Sequence, residues 1–88
     1  MNSVVIEITT NPTGDESDTI QGHKKEDVTE IIIKEGVTEL GDESFLLFEN
    51  CTKVTIPDSV TKIGKGCFQG CYKLKTVKMS KNVKELPD

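Results

Sequence analysis

The chain of 88 residues has one histidine, no tryptophan, three phenylalanines and one tyrosine. His23 lies in a polar stretch, so no Ser-His-Asp set forms and the residue reads as an exposed loop side chain. So few aromatics, all but Tyr72 at apolar positions, exclude a stacking platform for nucleic acid. No apolar run approaches the ~20 residues that a membrane span requires, and none is expected to insert. The start, MNSVVIEITT, has no basic stretch and breaks its apolar run at Glu7, unlike a signal peptide. Three cysteines cannot all pair within one chain, which points to a reducing compartment or to buried thiols. There is no glycine-rich phosphate loop either; Gly64-Lys65-Gly66 reads as a turn. Hydrophobic residues make up 34% and mean hydropathy is −0.35, which suits a flat array burying one stripe per turn better than a ball.

What is present is a period. A shift of 23 residues carries Ile31 onto Val54 and Val77, Ile33 onto Ile56 and Met79, and Val37 onto Val60 and Val83. It also carries Leu40 onto Ile63 and Leu86, Val28 onto Cys51 and Leu74, Gly41 onto Gly64 and Phe45 onto Phe68. A fixed period in the twenties is the mark of a solenoid. Three units follow, residues 28–50, 51–73 and a shorter 74–88. Each opens with an apolar residue, two polar ones and an apolar–x–apolar pair, the alternation of a short strand. Successive strands are therefore predicted to stack in parallel, with Ile31/Val54/Val77 and Ile33/Ile56/Met79 as inward ladders. Pro57-Asp58-Ser59 and its equivalents form a turn. Gly41 and Gly64 are predicted at positions of positive φ. The return arm, with Phe45/Phe68 and Phe48/Cys71, is predicted to be short, helical or irregular, and convex. Phe68 is the largest inward side chain assigned to the central unit.

Residues 1–27 fit the period poorly. Val4, Ile6 and Ile8 alternate as a strand, and Ile8 lies 23 residues before Ile31, but Gly14 and Ser17 fall where Val and Leu are expected. These residues read as an N-terminal cap strand followed by a polar, flexible loop. The Asp15-Glu16-Ser17-Asp18 cluster lacks the alternating spacing and closing glutamate of a calcium loop. Charge is uneven: residues 1–27 hold two lysines against six carboxylates, and residues 67–88 hold five lysines against two. Such ends could steer charged partners or stack head to tail. The edge formed by Leu74, Val77 and Met79 reads as unsealed, so the sequence predicts either further repeats downstream or self-association through the C-terminal edge.

VTIPDSVTKIG, a following Phe, and CYKLKTVKMSKNVKEL together resemble the BspA-type leucine-rich repeat. The resemblance spans about residues 28–88 and is strongest over 51–79. Its specific core is IPDSV-x-x-IG followed by AF-x-x-C. Cys67 stands in place of the usual alanine, and Phe48 stands at the family's cysteine position in the first unit. The resemblance implies a leucine-rich-repeat solenoid of β/α type, a right-handed superhelix whose exposed strand face binds macromolecules. Adhesion at the cell surface is a family theme. It implies neither a catalytic site nor a cofactor.

Strand alternation turns Glu30, Ile32 and Lys34 outward, then Lys53, Thr55 and Pro57, then Thr76, Lys78 and Ser80. These form the candidate binding face, with a positive lean from Lys34, Lys53 and Lys78, for a protein partner of unstated identity. Two other readings stand beside it. The chain could be a piece of a longer array with no separate activity, or Cys51, Cys67 and Cys71 could form a thiol or metal site. Against the latter, Cys71 sits on the family's buried-cysteine rung, and free cysteine packs as a small hydrophobe. Asn50-Cys51-Thr52 matches a glycosylation triplet.

Overall fold

The computed structural model describes residues 3–14 and 17–83. Leu86 and Pro87, and Asp15 and Glu16 of the acidic cluster, lie outside the described residues. Short strands stack as successive turns of a solenoid. Strand β1 is Val4–Ile8, β2 Thr19–Ile20, β3 His23–Lys24, β4 Val28–Ile33, β5 Glu39–Leu40, β6 Lys53–Thr55, β7 Lys62–Ile63 and β8 Thr76–Lys78. A 3-10 turn, Lys25–Asp27, precedes β4.

The main sheet has the order β1-β4-β6-β8, all parallel. Ile31 pairs with Val54 and Val54 with Val77, as the 23-residue period requires. A second ladder, β5 beside β7, pairs Leu40 with Ile63. The third wall is the convex arm, where turns stack without a helix. There the N–H groups of Glu43, Phe45 and Leu47 donate to the carbonyls of Lys65, Cys67 and Gln69 at 2.8–2.9 Å. Backbone donors in all three walls thus find acceptors one turn away, as buried amides must.

The core runs along the inside of this stack. Val28, Ile31, Val37, Leu40, Phe45, Phe48, Cys51, Val54 and Val60 are completely inaccessible, and Ile33, Ile56, Ile63 and Cys67 nearly so. At the last turn the same ladders open: Val77 and Met79 are each 38% exposed. Inward direction is a property of the strand, whereas burial needs a turn on both sides. Phe68 is likewise only half-buried, stacked on Phe45 at 5.7 Å and 15°. Phe45 and Phe48, not Phe68, are the largest fully buried side chains.

Two further expectations are corrected. Gly41 and Gly64 do not have positive φ; that conformation falls instead at Gly22, Gly36, Gly66 and Gly70. A Cβ on Gly64 would lie 2.7 Å from the carbonyl carbon of Gly41, so glycine is required there by the close approach of two turns. Ser80 does not face outward but is buried, its Oγ donating to the Val60 carbonyl at 2.7 Å. Ser59 makes the same bond to Val37, also at 2.7 Å, so the two hydroxyls pin successive turns.

The N-terminal turn keeps a different register. Ile6 pairs with Ile31 and Ile8 with Ile33, an offset of 25 residues, with an irregularity between Val4 and Val5. The same offset places Ile20 one turn before Phe45, and Ile20 packs against the core. Residues 17–27 are therefore more than a loop: they form the β2–β3 hairpin, turned at Gln21-Gly22 with φ of 51° and 82°, and then the 3-10 turn. Gln21 Nε2 donates to the Glu7 carbonyl at 2.8 Å, and Lys25 Nζ lies 5.6 Å over the Phe48 ring.

Candidate binding face

The outward side of the main sheet carries two in-register rows. One runs Val5, Glu30, Lys53, Thr76; the other runs Glu7, Ile32, Thr55, Lys78. Period-2 alternation places them all on one side, because their neighbours Ile6, Ile31, Val54 and Val77 form the inward ladder. Lys53, Thr76 and Lys78 are exposed, and Glu30, Ile32 and Thr55 are half-buried by their neighbours in the sheet. Val5 is 52% exposed and adds a second apolar residue beside Ile32.

Lys34 is exposed at the end of β4, but its Nζ lies 3.2 Å from Glu7 Oε2. The positive lean expected from three lysines is thereby confined to Lys53 and Lys78. The Glu7–Lys34 pair cancels both charges, which leaves Glu30 on the β1–β4 side and the two lysines on the β6–β8 side, so the face is polarised across its strands. Val5 and Glu7 were not legible as members of this face. Their place follows from the 25-residue offset with which β1 pairs with β4, against the 23 of the later turns.

The cysteines are packed rather than presented. Cys51 and Cys67 are buried and Cys71 is half-buried, all three free. Cys71 Sγ donates to the Phe45 carbonyl at 3.2 Å and Cys51 Sγ to the Lys53 carbonyl at 3.4 Å. Burial raises all three thiol pKa values, with Cys67 and Cys71 pushed up to about 11. Thiolate is the reactive form, so at neutral pH these groups are poor nucleophiles. Among the described residues no three of His, Cys, Asp or Glu converge to hold a metal ion. Asn50 uses its amide as a tie, Nδ2 donating to the Glu26 carbonyl at 2.7 Å. No helix among the described residues is long and apolar enough to cross a membrane.

The raised thiol values predict an alkaline weakness. Between the unfolded value near 9 and the folded value of about 11, the unfolded chain releases protons that the folded chain retains. Stability is then fully present below pH 9 and declines as pH rises toward 11. Urea midpoints measured at pH 8 to 10 are expected to fall, and to fall less in a Cys67→Ala variant. A slope unaltered by that substitution would remove the thiol as its cause.

The repeat geometry is matched by relatives. The family described as BspA type leucine-rich repeat region (6 copies) matches residues 22–88, most of the chain. The chain belongs to the BspA-type leucine-rich repeat family. A crystal structure of a leucine-rich repeat protein from Eubacterium ventriosum ATCC 27560 superposes with a TM-score of 0.69 at 26% identity. That match covers 91% of this chain but 22% of the other, so the chain spans about a fifth of the protein it resembles. No curated protein matches. The parallel ladders, the paired turns and the convex arm of this leucine-rich repeat chain thus have a solved counterpart. Family and fold together identify a leucine-rich-repeat module.

Proposed function

We propose that the outward face of the β1-β4-β6-β8 sheet is the docking surface of a non-enzymatic protein-binding module, used for adhesion to another protein. The observation that supports this is the in-register order of charge across the strands. The Glu30 carboxylate stands on β4 and the ammonium groups of Lys53 and Lys78 on β6 and β8, with Ile32 beside Glu30 on the same face. A partner with the opposite order of charge gains steering from both ends and apolar contact at Ile32. Thr55 and Thr76 add hydroxyls able to donate or accept. The adhesive role follows the family resemblance. The contact chemistry follows the face itself.

The test uses a peptide-display library panned against the wild-type chain, with the strongest binder then measured against Lys53→Glu/Lys78→Glu. Loss of at least tenfold in affinity is expected, because two like-charge contacts replace two attractive ones. The pair Lys62→Glu/Lys65→Glu, exposed on other walls, carries the same change in net charge and is expected to bind as wild type. Equal affinity of the first pair and wild type would clear this face.

A further inference from the structure

The convex arm carries side chains in its first turn at two positions where the next turn has glycine. Glu43 and Leu47 have left-handed backbone, with φ of 58° and 63°. One period later stand Gly66 and Gly70, with φ of 64° and 81°. The arm therefore requires left-handed backbone at both positions, which glycine adopts without the Cβ clash that penalises other residues. In the first turn the sequence accepts that penalty twice, and strain retained in this way gathers at ligand sites. The next turn makes room for one of the two side chains. A Cβ on Gly70 would lie 2.6 Å from Leu47 Cδ2. Leu47 nevertheless remains 53% exposed.

Both side chains line one cleft of about 710 Å³, a volume suited to a small molecule. The arm supplies Glu43 and Glu49 to it together with Leu46 and Leu47, and the hairpin segment with its 3-10 turn supplies Asp18 and Glu26. The two walls are tied together. The Gly14 N–H donates to the Asp42 carbonyl at 3.1 Å, and Asn50 Nδ2 to the Glu26 carbonyl at 2.7 Å. Lys24 and Lys25 also line the cleft, and Lys25 is engaged with the Phe48 ring. Four carboxylates against two lysines leave the lining acidic, with carboxylates on both walls and leucine side chains on one. Carboxylates accept hydrogen bonds and donate none. The matching occupant therefore carries several cationic donors joined by apolar stems. A peptide would add backbone carbonyls, which carboxylates cannot pair. We infer that the cleft is a binding site for a linear aliphatic polyamine, its ammonium groups on the carboxylates of both walls and its methylenes over Leu46 and Leu47.

The experiment titrates the whole chain with spermine and follows backbone amide resonances and the heat of binding. Saturable one-to-one binding is expected, with shifts gathered at residues 24–26 and 43–49 and none at Thr76–Lys78. Glu43→Gln/Glu49→Gln is expected to weaken binding roughly fivefold, the scale of two exposed ion pairs. Glu35→Gln/Glu39→Gln, exposed elsewhere and equal in charge change, is expected to bind as wild type. Lys24→Gln removes an opposing charge and is expected to tighten binding. Glu43→Gly separates the ligand role from folding. Its urea midpoint is expected to be no lower than that of wild type, because glycine suits the backbone there, while its affinity falls. Magnesium, a cation without an apolar stem, is expected to leave the cleft resonances in place. Shifts spread over the whole chain, equal losses in the two glutamate pairs, or the same shifts with magnesium would overturn the inference. So would tighter binding of tetralysine than of spermine, or a Glu43→Gly variant that unfolds earlier and binds unchanged. No cleft residue named here belongs to the outward sheet face, so the two proposals fail independently.

Discussion

Replacing Phe45 with alanine is expected to destabilise the protein by about 3–5 kcal/mol, the range for removing a fully buried aromatic ring. The ring is completely inaccessible. It lies edge-on to Phe48 at 5.7 Å and 86°, and stacks with Phe68 at 5.7 Å and 15°. It is thus the aromatic centre of the convex arm and touches both its own turn and the next. Its backbone N–H donates to the Cys67 carbonyl at 2.9 Å, and alanine preserves that bond, so the loss belongs to the side chain. Turns on either side limit how far the site can collapse, which keeps the cavity term large. For a domain whose total stability is about 5–15 kcal/mol, most of the folded population is at stake. Phe68→Ala is expected to lose clearly less, because part of that ring is already exposed to solvent. Urea or guanidinium unfolding of the two variants decides the matter, and a larger loss at Phe68 would refute the assigned packing.

Gly64→Ala is expected to be the other severe substitution, through crowding rather than a cavity. An added Cβ would stand 2.5 Å from the Asp42 amide nitrogen and 2.7 Å from the Gly41 carbonyl carbon. Both contacts are with backbone, which cannot rotate aside. The Gly64 N–H donates to Leu40 at 2.7 Å, and the next amide, Lys65, donates to Asp42 Oδ1 at 2.8 Å, so moving away breaks two ties between turns. Overpacking commonly costs about 1–3 kcal/mol and occasionally more; this position is expected at or above the top of that range. Gly36 supplies the comparison. Its φ is +105°, yet an added Cβ there meets nothing within 4 Å, so Gly36→Ala carries only backbone strain. Equal unfolding midpoints for the two variants would show that the turns separate more easily than their spacing implies.

The same distinction explains which parts of the molecule could be read in advance. The inward ladders, the parallel stacking and the leucine-rich-repeat resemblance follow from periodic apolar residues, which record which way a side chain points. The glycines were placed correctly and explained incorrectly, since a glycine in sequence does not say whether φ or a neighbouring backbone requires it. Ser80 illustrates a related loss: alternation continues outward past β8, whereas the chain bends so that its hydroxyl reaches Val60. On the candidate face Glu30, Ile32, Lys53, Thr55, Thr76 and Lys78 share one side, as alternation predicts. Lys34 stands there too, but its charge is taken up by Glu7, a residue from a turn with a different offset.

By itself the sequence determined the 23-residue turn, the identity of the inward ladders and the family to which they belong, because each is written in the spacing of residues along one strand and its arm. Only the tertiary structure decided the 25-residue offset of the first turn, the close approach at Gly64, and the contrast between buried Ile31 and exposed Val77 on one ladder. The physical reason is the same in all three. A residue's direction is set by its own strand, but its burial, contacts and available charge are set by the turns stacked above and below.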